Sequence, residues 1–310
     1  MQKIHPHLRT RIIFFIFLLI LVNCEKKDVP TVQSDALKTE ITRLSDSLNA
    51  EIAVAFNDLE TGQEFYYNEK SMMHAASTMK VPVMIEIFRM AERGELHLED
   101  KIEVKNQFYS IVDSSVFSLD VNEDDCKTLY DSIGKKVIIR DLVFDMITRT
   151  SNLATNLLIE LADAKKVTAT MRELGAENIQ VLRGVEDIKA FQKGWSNYTD
   201  AYDLAVIMRA IATAKAASEA SCNEMIDILG QQFYRKKIPA GIPDSVKVVN
   251  KTGSITAISH DCAIVFPPQR KPYVLVVLTK GIADPEKAEN AIANISRLIY
   301  NDLQQPRNLN

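Results

Sequence analysis

The sequence is short of the residues that would build a site on metal or sulfur. Its 310 residues include four cysteines, Cys24, Cys126, Cys222 and Cys262, and none stands at a metal-binding spacing. With Cys24 set aside, the other three thiols allow at most one disulfide bridge. Internal repeats and low-complexity tracts are absent, so the composition does not suit a solenoid or a disordered array. A basic patch is missing too, and at a formal net charge of −4 nucleic acid is excluded as a partner. No apolar run is long enough to cross a bilayer as a helix.

The unbroken apolar run from Ile12 to Val22 follows Lys3, Arg9 and Arg11 and stops at Asn23-Cys24. A basic start, a short apolar core and a polar exit are the anatomy of a signal peptide. Leu21-Val22-Asn23-Cys24 resembles a bacterial lipobox, whose cysteine carries lipid after cleavage, although Asn23 stands where a small residue is usual. Residues 1–23 therefore read as a lipoprotein signal peptide and Cys24 as the lipidation site. The expected location is periplasm-facing and membrane-anchored. Residues 24–36, polar and holding Pro30, read as a tether. Losing Lys3, Arg9 and Arg11 takes the formal net charge from −4 to −7.

Beyond the tether, hydrophobic periodicity predicts a helix over 36–49. A strand–turn–strand hairpin follows, through Glu51–Phe56 and Glu64–Tyr67, around the turn-rich Asp58–Gln63. From about 92 to 239 the pattern is mostly helix and loop, with helices over 140–146, 152–161 and 201–212. β-Branched runs return at 245–250, 262–266 and 273–279, and Pro285 opens a closing helix to Leu303. Strands at both chain ends with helices between them imply an α+β domain over 37–305. Its antiparallel sheet would be built from about 37–72 and 245–305, with a mostly helical lobe, about 73–244, inserted between them. Clefts between such lobes are where small-molecule sites lie.

Three stretches carry chemistry. The first is Ser77-Thr78-Met79-Lys80, opening the nearly all-apolar Val81–Phe88. Positions i and i+3 share a helical face, so a hydroxyl and an amine point the same way. Burial disfavours the ammonium, and a neutral lysine can take the serine proton. The plainer reading makes Ser77 a helix N-cap. The second is Thr150-Ser151-Asn152, which taken alone is a cap for the helix after it, with Asn156 polar in an otherwise apolar stretch. The third is Lys251-Thr252-Gly253-Ser254 after a strand. Lysine and threonine suit a carboxylate, and glycine lets a ligand lie against the strand edge. Alone, this is a turn.

Together and in this order, Ser-x-x-Lys, hydroxyl–x–Asn and Lys-Thr-Gly resemble the penicillin-recognising serine enzymes, most closely the class A β-lactamases. The resemblance runs from about residue 37 to 303 and includes Leu153–Leu158 and His260-Asp261. It implies Ser77 as acylated nucleophile, Lys80 as its proton partner and Thr150 as the relay to the leaving nitrogen. It implies Asn152 against the substrate's amide side chain, Lys251 and Thr252 on its carboxylate, and Gly253-Ser254 along the same edge. The oxyanion hole would come from backbone N–H groups, one of them at Ser77. The resemblance implies no metal or organic cofactor and a monomer.

The departures sharpen the question of turnover. Thr150-Ser151-Asn152 stands for Ser-Asp-Asn: the hydroxyl stays, and a carboxylate that braces the loop is gone. Residues 108–131 read in part as an insertion at the cleft mouth. The family's Glu-x-x-Leu-Asn pattern is absent, and Glu186, in Arg183-Gly184-Val185-Glu186-Asp187, is the candidate deacylating base, with Asp187 next. A solvated acidic loop is the alternative. The expected function is a membrane-anchored serine hydrolase of the β-lactam amide. The alternatives are an envelope peptidase, transpeptidase or esterase of the same fold acting on a peptidoglycan-like peptide, or a penicillin-binding lipoprotein with little turnover.

Overall fold

A computed structural model describes residues 31–304. Residues 1–30, including Cys24 and the apolar run, lie outside the described residues. Helix α1 (Ser34–Leu48) leads into strand β1 (Glu51–Asp58) and β2 (Glu64–Tyr67). Val32 is already buried, so ordered packing begins inside the stretch read as a tether. At the other end of the chain come β3 (Lys247–Ile255), β4 (Ile258–Phe266), β5 (Tyr273–Lys280) and a closing helix, Pro285–Asp302. The strands form one antiparallel sheet in the order β2-β1-β5-β4-β3, which brings the two chain ends together at the β1–β5 ladder.

Alternation along the central strands divides the core into two layers. Ile52, Val54 and Phe56 of β1, with Tyr273, Leu275 and Val277 of β5, face α1 and the closing helix. Ala53 and Ala55, with Val274, Val276 and Leu278, face the helical lobe. This period of two is the geometry of a strand covered on both faces.

The lobe contains α2 (Lys80–Glu92), α3 (Ile139–Thr148), α4 (Asn152–Ala162), α5 (Ala164–Glu173), α6 (Ile188–Gln192), α7 (Ala201–Ala212) and α8 (Glu219–Gly230). The apolar run after Lys80 makes α2 a buried central helix, with residues 80–88 all inside. Pro82 sits in its first turn, where its missing N–H costs least. Glu86 is also buried on α2, and Arg93 and the Thr170 hydroxyl satisfy its carboxylate. The stretch read as an insertion holds a small hairpin, Phe108–Tyr109 with Val116–Phe117, and two 3-10 turns, Val121–Glu123 and Lys127–Ser132.

Candidate active site

Ser77 lies in a 3-10 turn, Ala76–Met79, that leads into α2; Met79, not Ser77, is the residue preceding the α-helix. The cap reading of Ser77 therefore fails. The turn is held from both sides. Ala75 N–H donates to Asn197 O, Ala76 N–H donates to His74 Nδ1 at 3.0 Å, and the Thr78 hydroxyl donates back to Ala75 O. Ala76 has φ +45°, in the left-handed region that costs a non-glycine residue strain. Edge strand β3 runs beside this turn. A methyl group on Gly253 would sit 2.9 Å from Ser77 N and 3.0 Å from Thr78 N, so the absence of a side chain is what lets the strand approach the serine.

One turn on, Lys80 is fully buried. Its ammonium donates to Thr150 O at 2.6 Å and to Asn152 Oδ1 at 3.0 Å. Burial pushes its pKa down to about 8, against the opposing pull of Asp124, Asp125 and Glu186. An amine so placed is a proton acceptor at mildly alkaline pH.

Thr150 has φ +54°, and its hydroxyl donates to Asp125 Oδ2 at 2.9 Å. The cap of α4 is Ser151, whose hydroxyl accepts from Ala154 N–H. The Asn152 side chain lies between two groups, accepting from Lys80 and donating to Glu186 Oε1 at 2.8 Å. Glu186 is half-buried, and burial raises its pKa above the ordinary glutamate value. Asn156 fixes the backbone before it. Its amide donates to Val185 O at 3.0 Å and accepts from Val185 N–H at 2.7 Å. Gly184 leaves room for this clamp, since a Cβ there would fall 2.5 Å from Asn156 Oδ1. Asn197 makes a second clamp, accepting from Leu182 N–H and Arg183 N–H.

The second acid is turned elsewhere. Asp187 is buried; it accepts from the Ser110 hydroxyl, Ile111 N–H and Ala190 N–H, and so caps α6 and ties it to the small hairpin. The alternative of Asp187 as base is removed by this geometry.

On β3, Lys251 is fully buried with its pKa driven down by burial and by Lys80, and its ammonium donates to Thr252 O. Ser254 is exposed, and its hydroxyl accepts from Lys237 at 2.8 Å. Lys237, unnoticed in the sequence, is also buried and donates to Gly253 O and His260 O. Its only sequence signal was a cation beside Pro239 just before the strand. Also missed were Asp124 and Asp125, hidden among the many acids of a loop, and Tyr234, whose phenol pKa is raised to about 12 by burial and by the charge of Asp125. Cys126, Cys222 and Cys262 are all free and buried. Among the described residues no cluster of acids, histidines and cysteines could hold a metal.

A family profile described as the β-lactamase enzyme family matches residues 36–303. The chain belongs to that family. Curated relatives include a β-lactamase of Bacteroides uniformis, 22% identical over 94% of this chain and 99% of its own. Another is a β-lactamase of Bacillus licheniformis, 22% identical over 86% of this chain and 84% of its own. Among solved structures, a β-lactamase from Sphaerobacter thermophilus superposes with a TM-score of 0.75 at 23% identity, covering 88% of this chain and 98% of the other. A structure of PBP-A gives 0.74 at 22% identity, over 88% and 98%. The fold is thus the serine β-lactamase fold, and within it the three stretches singled out in the sequence meet at the Ser77 turn.

Proposed function

We propose that this family member is an exported, membrane-anchored serine β-lactamase that opens the lactam amide through an acyl-enzyme on Ser77. The observation that carries the hydrolytic half is the setting of Glu186. Asn156 clamps the backbone before it, and Asn152 links its carboxylate to Lys80. A solvated acidic loop would have no use for either bond.

In acylation, neutral Lys80 takes the Ser77 proton as Oγ attacks the lactam carbonyl. The Ser77 N–H contributes to holding the oxyanion, in a kind of site worth several kcal/mol. As the C–N bond breaks, the Thr150 hydroxyl gives its proton to the leaving nitrogen and takes up the one that Lys80 removed from Ser77. Lys251 and Thr252 hold the substrate carboxylate, Asn152 contacts its amide side chain, and Gly253-Ser254 form the edge along which it lies. In deacylation, ionised Glu186 takes a proton from water, which attacks the ester; as the bond to Ser77 breaks, that proton is returned to the serine oxygen and Glu186 is ionised again. Anchoring through Cys24 and a periplasm-facing location rest on the signal-like start and the lipobox-like Leu21–Cys24.

A chromogenic cephalosporin, followed by both colour and intact mass, tests the reading. Sustained colour with no lasting adduct is expected. A single burst with a stable adduct on Ser77 would instead mean a penicillin-binding lipoprotein of little turnover. Neither colour nor adduct would point to a peptidase, transpeptidase or esterase.

A further inference from the structure

The Thr150-Ser151-Asn152 triplet has a serine where the Ser-Asp-Asn pattern it resembles has a carboxylate, yet the turn it forms is held by one. Asp124 reaches it from the loop between the two 3-10 turns, and it is buried at 2% exposure. Its Oδ2 accepts from Asn152 N–H at 2.9 Å, Leu153 N–H at 2.8 Å, the Tyr130 hydroxyl at 3.1 Å and the Ser151 hydroxyl at 3.4 Å. Its Oδ1 accepts from Cys126 N–H at 2.9 Å, which stiffens the loop that presents it. We propose that Asp124 is a positioning residue of the active site. From a separate loop it holds the Thr150–Asn152 turn in its working shape and supplies the carboxylate that the triplet lacks.

The turn needs such a hold. Thr150 sits at φ +54°, a conformation that persists only where surroundings enforce it. Its carbonyl is an acceptor for Lys80, and Asn152 joins Lys80 to Glu186. If the turn relaxed, the lysine would lose its acceptors and the glutamate its amide in one movement. Two orphan amides at the start of α4 would also be left buried. The loop grips the triplet twice, because Asp125 beside it accepts from the Thr150 hydroxyl. What read in the sequence as an insertion is therefore part of the site. Asp124 also opposes the fall in the Lys80 pKa, the largest single charge to do so.

The inference rests on the serine β-lactamase reading for its kinetic arm only. Ser151 Oγ lies 3.4 Å from Asp124 Oδ2, so an aspartate at 151 would aim its carboxylate into the space that a shortened residue 124 vacates. The test is the cycle of Asp124→Ala, Ser151→Asp and the double variant, with melting temperature and kcat per penicillin-labelled site read for each. Asp124→Ala is expected to lower kcat per labelled site about 100-fold, the scale of a small misplacement of catalytic groups. It should also lower Tm by several degrees. Ser151→Asp alone sets two carboxylates in one dry pocket and lowers Tm as well. The double variant is expected to regain most of the lost Tm and to return kcat to within about tenfold of the parent. Glu123→Gln, an exposed acid of the same loop, should leave both readouts alone. Should Asp124→Ala fail to fold, Asp124→Asn keeps the shape but not the charge and is read by itself, with a loss of kcat per labelled site expected and a parental value overturning the proposal.

A parental kcat per labelled site in Asp124→Ala would overturn the proposal. So would a double variant no better than Asp124→Ala, or a Glu123→Gln loss of the same size. The Tm cycle needs no substrate. If the parent neither labels nor turns over, the lactamase reading falls while the hold on the turn is still decided by stability.

Discussion

Ser77 and Glu186 divide the proposed reaction between them, and each can be removed by itself. Ser77→Ala deletes one half-buried oxygen, so we expect no covalent labelling by a fluorescent penicillin and a melting temperature close to the parent's. Labelling that survives would remove Ser77 as nucleophile. Glu186→Gln keeps the shape and the bond to Asn152 but cannot take a proton. It should acylate at the parental rate and accumulate the acyl-enzyme, visible as a persistent mass adduct; undiminished turnover would make another group the base. Because burial raises the Glu186 pKa, the acid limb of deacylation should lie above the usual glutamate range. It should move to that range when the loop is loosened. Single-turnover rates between pH 4 and 7 would measure it.

At the scale of elements, the segment 182–187 works because Asn156 and Asn197 hold it by its backbone. Asn156→Ala would leave Val185 N–H and C=O without partners, at a cost of about 1–3 kcal/mol. It should slow deacylation far more than acylation. An equal loss in both steps would show that the clamp does not serve Glu186. The elements themselves were largely legible. The 3.6-residue pattern placed α3, α4 and α7 within a residue or two, and β-branched runs marked β3, β4 and β5. What could not be read was contact between distant segments. Ser-x-x-Lys was plain, yet nothing in the string says that its serine sits in a 3-10 turn whose strained Ala76 is pinned by His74. Nor does it say that the carboxylate missing at 151 arrives from 124. Local spacing reports helices and strands; loop-to-loop hydrogen bonds leave no period. Asn156 was visible only as a polar residue in an apolar helix, without its partner.

Across the whole molecule, the cleft concentrates buried cations. Lys80 and Lys237 are lowered to about 8 and Lys251 is lowered well below the ordinary lysine value, all chiefly by burial. In the unfolded chain these amines titrate near 10.5. From pH 8 to about 9 the unfolded state therefore binds more protons than the folded one, and stability rises with pH; above about 9 the thiols of Cys126, Cys222 and Cys262, raised by burial, oppose the lysines. Higher still the tyrosines reverse the slope, since burial raises Tyr66 and Tyr234 to about 12 and they ionise first in the unfolded chain. The melting temperature should be higher at pH 9 than at pH 7.5, and calorimetry at the two values checks it. A fall across that interval would mean that these lysines are not neutralised by folding. The free thiols have a different use. Cys262 pairs across the sheet with Lys251, its Sγ against that residue's carbonyl; Cys126 adjoins Asp124, and Cys222 lies inside α8. Each is shut away from reagents until its own neighbourhood opens. The protein thus carries three built-in clocks, one on β4 behind the strand that flanks the serine, one on the loop that grips the triplet and one in the helical lobe. Their alkylation rates time how often each part of the cleft comes apart.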